Sequence, residues 1–163
     1  MRRAMLFLML LFVSPSGPAY AQESAGEQLF GSWLLVSFKL QVVGEETQPH
    51  DVFGPHPFGR IILTPTHTMA AFLSRTDRKP PTSPAEAAAL MSSMTAYTGK
   101  FRLEGNKFIT TVDGAWNEIY KEHEQVRYFA LEGDRLLIRI PEQPSGALPG
   151  KRVTGELVWE RER

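Results

Sequence analysis

Gly31-Ser32-Trp33-Leu34-Leu35-Val36-Ser37-Phe38 is the stretch that decides the fold. Side chains on a strand alternate between its two faces. Trp33 and Leu35 therefore fall on one face, and Leu34, Val36 and Phe38 on the other. A strand that is apolar on both sides is buried on both sides or lies under a covering element. The pattern predicts a strand over residues 33–42. With Trp33 taken as inward, the same phase puts Leu35 and Ser37 on the inner face.

Residues 49–59 follow, with Pro49, Pro55 and Pro57, two glycines and the anchors Val52, Phe53 and Phe58, and this composition predicts an ordered loop. Strands over 60–64 and 69–74, joined by the turn Pro65-Thr66-His67-Thr68, make a hairpin. Pro80-Pro81 then breaks the strand texture. Ser83-Pro84-Ala85-Glu86 has the parts of a helix start: a serine cap, proline at the first helical position and a glutamate able to reach back. The alanines after it, with Leu90 and Met91, favour helix, so one helix of about three turns is predicted here. Strands over 97–103, 107–112, 125–131, 135–140 and 155–160 complete the chain. Glu104-Gly105-Asn106 and Glu132-Gly133-Asp134 are tight hairpin signals. The expected fold is all-β: eight up-and-down strands closed into a barrel, with one short helix between the third and fourth. Eight strands enclose just enough room for one small ligand.

The N-terminus has a different texture. Met1-Arg2-Arg3 precedes an uncharged apolar run from Ala4 to Val13, and Ala19-Tyr20-Ala21 is a small-residue site. Basic start, short apolar core and A-x-A end are the parts of a secretory signal. The core is about half the ~20 residues that a membrane-spanning helix needs. The organisation expected is a signal peptide over 1–21, a flexible tether over 22–29 and a barrel domain over 30–163, exported to the periplasm or the medium. There are no cysteines, so the fold rests on its core, and thiol chemistry, Cys-bound metals and lipidated cysteine are excluded. Eighteen basic and 18 acidic residues balance, without a basic cluster, which leaves no electrostatic footprint for nucleic acid.

Gly31-Ser32-Trp33 resembles the Gly-x-Trp signature of lipocalins. The last strand ends Leu157-Val158-Trp159-Glu160-Arg161, and the lipocalin pattern places an arginine such as Arg161 over the tryptophan of the first strand. Gly31 to Phe38, Phe53-Gly54-Pro55 with Gly59-Arg60-Ile61, Thr64-Pro65 with Met69-Ala70-Ala71, and Tyr97-Thr98-Gly99-Lys100-Phe101 are similar in order and spacing to a bacterial and fungal family of lipocalin-like domain proteins. Val126-Arg127, Phe129 and Leu131, then Gly133-Asp134-Arg135-Leu136, extend the likeness over nearly the whole of the domain. The resemblance implies a lipocalin-like barrel with Gly31, Trp33 and Arg161 as its structural floor. One departure matters: the family often has a histidine in the strand after Tyr-x-Gly. Here that strand reads Phe108-Ile109-Thr110-Thr111-Val112, so no role that needs the histidine carries over.

Strand phase then supplies the cavity candidates. Tyr97 and Phe101 oppose the plainly outward Thr98, Lys100 and Arg102. Arg127 shares its phase with Phe129 and Leu131, which points it inward, where a guanidinium needs either a partner such as Glu118 or Glu122 or an anionic ligand group. Met91 and Met94 lie on the helix, either packing it onto the barrel or closing the barrel mouth over a ligand. The candidate ligand-binding set is Arg127, Tyr97, Phe101, Ser37, Leu35, Phe129 and Met94. His50, Asp51 and His56 share a loop but lack a third ligand, so no metal is expected. No phosphate loop, dinucleotide fingerprint or Gly-x-Ser-x-Gly elbow occurs, and no cofactor is expected. The favoured function is an exported binder of a small hydrophobic molecule, with or without an acidic group, working as a monomer or weak dimer. The alternatives are an isomerase- or cyclase-type enzyme using Tyr97 or Arg127, and an accessory protein with a filled barrel.

Overall fold

The computed structural model describes residues 26–46, 50–145, 148 and 150–163. The expected signal segment, the start of the tether and Pro49 lie outside the described residues. The strands are β1 (Gly31–Val42), β2 (His50–Asp51), β3 (Phe58–Leu63), β4 (Thr68–Ser74), β5 (Met94–Glu104), β6 (Lys107–Ala115), β7 (Gln125–Glu132), β8 (Arg135–Pro144) and β9 (Arg152–Arg161). Each pairs antiparallel with its neighbour, except that the two-residue β2 hangs on the outer end of β1 and β3 pairs with β1 directly. β1 also pairs with β9, from Trp33↔Arg161 to Val42↔Val153, and this closes an eight-stranded barrel. The helix α1 (Pro84–Ser92) lies between β4 and β5, the connection between the third and fourth barrel strands.

The sequence alternation becomes the barrel wall. In β9, Val153, Gly155, Leu157 and Trp159 are buried, while Arg152, Glu156 and Glu160 are exposed. β8 repeats the pattern with Leu136, Ile138 and Ile140 inside. β1 keeps this alternation only as far as Leu35. A bulge between Leu35 and Ser37 shifts its register against β9. An extra residue in a strand reverses the phase of everything after it. Beyond the bulge Leu40 and Val42 are buried and Phe38 turns to the interior, so Ser37 is not an inward residue.

Two further expectations change. Residues 27–29 are no tether: Glu27–Leu29 forms a 3-10 turn, and Leu29 is completely buried beneath the barrel. An apolar side chain beside the Trp33 ring gains more by burial than by remaining on a mobile lead-in. At α1, Ser83 caps as expected, its Oγ accepting from the Glu86 amide at 3.2 Å. Glu86 reaches back one residue further than the cap, accepting from the amide and hydroxyl of Thr82. The helix has no buried residue and Met91 is half exposed. Its apolar side chains are mainly alanines, which have little surface to bury, and Met91 does not join the core; Met94, expected on the helix, instead begins β5.

The chain ends are tied at the seam. Glu162 accepts from the Ser32 hydroxyl at 2.5 Å and pairs with Arg60. The Ser32 hydrogen bond, followed by the Arg60 charge, holds the Glu162 carboxyl below the usual range. A carboxyl whose folded-state pKa is depressed contributes stability above its unfolded pKa, and that contribution fades as pH falls through the folded value. The urea midpoint should therefore drop between pH 6 and pH 3 by more in the wild type than in Glu162→Gln. Parallel pH profiles for the two proteins would show that the seam contributes nothing.

Candidate functional site

The floor of the barrel is assembled from both ends of the chain. Trp33 is fully buried, and its indole N–H donates to the Leu29 carbonyl at 2.9 Å. The Arg161 guanidinium lies 4.1 Å from the Trp33 ring centroid and donates to the carbonyls of Phe30 (3.1 Å) and Gln28 (2.5 Å). A cation over an indole face and two carbonyls bound at once fix the side chain by independent means. Gly31 has φ 132°, and a Cβ there would come within 3.1 Å of Arg161 Nη1, so only glycine fits between the guanidinium and the strand start. Gly31, Trp33 and Arg161 thus meet at one place.

Above this floor the strands enclose a cavity of about 60 Å³. A single water needs about 10–15 Å³ on the same measure, so the cavity is small, with room for about four to six waters. Its walls are aliphatic on most sides, with Leu40, Ile61, Leu73, Ile138, Ile140, Val153 and Leu157. Phe38, Phe108 and Trp159 add aromatic surface.

The polar wall groups are Thr95, Tyr97, Tyr120, Arg127, Gln143 and Ser145, and most of them form one connected cluster. Arg127 is 5% exposed. Its guanidinium donates to the Val126 carbonyl at 2.7 Å, to Gln143 Oε1 at 3.2 Å and to Gln125 Oε1 at 3.0 Å. These partners are neutral, and no carboxylate of the described residues pairs with it. Glu118 pairs with Lys121 instead. Gln125 uses its amide nitrogen to hold the carbonyls of Tyr120 and His123, tying Arg127 to the 3-10 turn Glu118–Lys121. The Tyr120 ring stacks on Tyr97 with centroids 5.4 Å apart. Burial raises the Tyr120 pKa, and Tyr97 adds to the rise against opposing effects of Thr95 and Arg127. Tyr120 therefore remains a neutral hydroxyl. The cluster combines hydrogen-bond donors with a buried cation that lacks a counter-ion.

Of the expected cavity residues, Arg127 and Tyr97 line this space. Leu35, Phe101 and Phe129 belong to the core or pack against it, but not to the cavity lining. Leu35 packs against Gly59, and Phe101 stacks on His67 at 5.1 Å. Ser37 is excluded by the bulge. Met94 is excluded by phase: β5 begins at Met94, which puts Thr95 and Tyr97 inward and leaves Met94 on the outer side, its sulfur 3.7 Å from Arg78. Tyr120 and Gln143 are not marked by local alternation, and Gln125, in phase with Arg127 on β7, is not among the expected cavity residues. Tyr120 depends on how 113–124 folds back over the β6 end, a stretch without alternation. Gln143 follows a second register irregularity, between Ile140 and Gln143. Among the described residues, no group of three or more His, Asp or Glu is placed to hold a metal, and no helix is long and apolar enough to cross a membrane.

A closed antiparallel barrel with a Trp–Arg floor and an apolar interior defines the lipocalin type. The model of the lipocalin-like domain family matches residues 30–162, and the chain belongs to that family. No curated protein matches it.

Proposed function

We propose that the protein binds a small, slender hydrophobic molecule in the barrel, with an acidic group of that molecule held by Arg127. The single observation that carries this reading is the buried Arg127 guanidinium on the cavity wall, satisfied only by neutral oxygens. A buried charge is costly unless it is paired, and an arginine presents a planar fork suited to a carboxylate. The aliphatic walls supply affinity and the polar cluster supplies orientation. The small cavity favours an unbranched chain over a bulkier fused-ring ligand.

The test is a paired titration of the wild-type protein with a straight-chain fatty acid and the fatty alcohol of equal length. The acid should bind at least tenfold more tightly, or about 1.4 kcal/mol. Equal affinity would remove the acidic group from the proposal, and no binding of either would remove the carrier function.

Export belongs to the same proposal. The motif over residues 1–21 supports cleavage after Ala21 and release to the periplasm or medium. N-terminal sequencing of protein from its native host should then begin at Gln22, and retained Met1 would overturn it.

A further inference from the structure

The three indole N–H groups of the chain do not have the same surroundings. That of Trp33 is bonded to the Leu29 carbonyl and that of Trp116 to the Met91 carbonyl. The third belongs to Trp159, which is 1% exposed and lines the cavity, and its Nε1 is buried without a hydrogen-bond partner among the described residues. Buried donors are almost always satisfied, and leaving one unmade is costly. The Trp159 ring lines the cavity while its N–H is covered by neighbouring atoms, so an acceptor can reach the orphaned donor by entering beside the ring.

The register places this donor well away from the polar cluster. Trp159 sits level with Leu136 and Leu35, near the floor. Arg127 lies one residue beyond the Tyr128↔Arg139 pair, level with Ile140, which faces Gly155. Gly155 and Trp159 are four positions apart on one strand, or about 13 Å at ~3.3 Å per residue. Leu157 and Ile138, paired with each other, line the wall between.

We propose that the cavity recognises its ligand at two points, and that Trp159 Nε1 is the second. The ligand class is then an acid whose hydrocarbon body carries one hydrogen-bond acceptor, such as a ketone, ester or ether oxygen, near the end opposite its carboxylate. The carboxylate meets Arg127, the body lies along Leu157 and Ile138, and the distal oxygen accepts from Trp159. The carboxylate half of this inference rests on the proposed function; the distal half rests on Trp159 alone.

The experiment compares decanoic acid with the keto acid of equal length that carries its carbonyl on the penultimate carbon. Both are titrated against wild type, Trp159→Phe and Arg127→Met. Phenylalanine keeps an aromatic ring at position 159 but has no N–H. The ratio of keto-acid to plain-acid affinity should fall about 3- to 10-fold in Trp159→Phe, the worth of one neutral hydrogen bond. Taking the ratio cancels the keto group's own hydration. Arg127→Met should weaken both acids and leave that ratio unchanged. If both acids bind and need Arg127 while the ratio is the same in Trp159→Phe, the second anchor is wrong and the proposed function stands. If neither acid binds wild type, the proposed function falls and this inference with it.

A second measurement needs no substitution. In the ¹⁵N–¹H spectrum of the wild type, one indole proton should move farther downfield on adding the keto acid than on adding the plain acid, as a hydrogen bond donated to the keto oxygen requires. The same response of all three indoles to both acids would also overturn the second anchor.

Discussion

Trp33→Ala should destabilise the protein by about 3–5 kcal/mol, the range for deleting a large aromatic side chain from a core. Three losses coincide at this position. The ring is fully buried, so its transfer free energy goes and a cavity remains. The Leu29 carbonyl loses the donor that holds the Glu27–Leu29 turn beneath the barrel. Arg161 loses the surface over which its guanidinium lies, although its two carbonyl partners remain. Domains are stable by only about 5–15 kcal/mol, so the variant should melt far earlier than wild type or fail to accumulate. Trp33→Phe keeps much of the apolar volume and should fall between the two. Urea unfolding of the three proteins checks the order, and a loss under about 1 kcal/mol for the alanine variant would contradict a floor role for Trp33.

What the sequence revealed and what it hid divide along one physical line. Alternation is local, so a strand with a clean period of two shows its faces wherever nothing interrupts it. β8 and β9 were legible in this way, with Leu136, Ile138, Ile140, Leu157 and Trp159 all inward. So was the capped start of α1, where a serine, a proline and a glutamate stand at fixed spacing. The floor was legible for another reason: closure brings the first and last strands together, so Trp33 and Arg161 become neighbours although they are distant in sequence.

A bulge leaves no such trace. Val36-Ser37-Phe38 alternates as well in one phase as in the other, and only pairing with β9 fixes where the extra residue falls. Local alternation therefore puts Ser37 on the inner face and Phe38 on the outer, and the barrel reverses both. Met94 shows the same limit at a strand end, since starting β5 three residues earlier than the alternation suggested moved it outside. Within the site, Arg127 stood out because a charge shared its phase with apolar residues. Its partners were harder to see: Gln125 shares the Arg127 phase but alternation does not say what it bonds to, and Gln143 is brought in by the irregularity after Ile140. Glu118 and Glu122 are the partners that the sequence suggests, yet the guanidinium is met by the side-chain oxygens of Gln125 and Gln143.

That difference in partners makes Arg127→Met informative. With a carboxylate partner, the substitution would strand a buried negative charge and destabilise the fold strongly. With neutral partners two smaller effects oppose each other. The oxygens of Val126, Gln125 and Gln143 lose donors, at a cost of about 1 kcal/mol for each one left unsatisfied. The desolvated charge disappears as well, and this relieves the ligand-free fold. The urea midpoint should shift modestly, while affinity for a straight-chain acid should fall by about 2–5 kcal/mol, the cost of truncating one partner of a buried charge pair. On the dissociation constant that is a loss of roughly 30-fold to several thousand-fold. Affinity for the matching alcohol should change little, because the aliphatic walls that hold its chain are untouched. Paired titrations and urea melts on both proteins separate the outcomes. A selective loss for the acid assigns the guanidinium to ligand recognition. Equal losses for acid and alcohol, with a large drop in stability, would make Arg127 a structural tie between β7 and the Gln125 network.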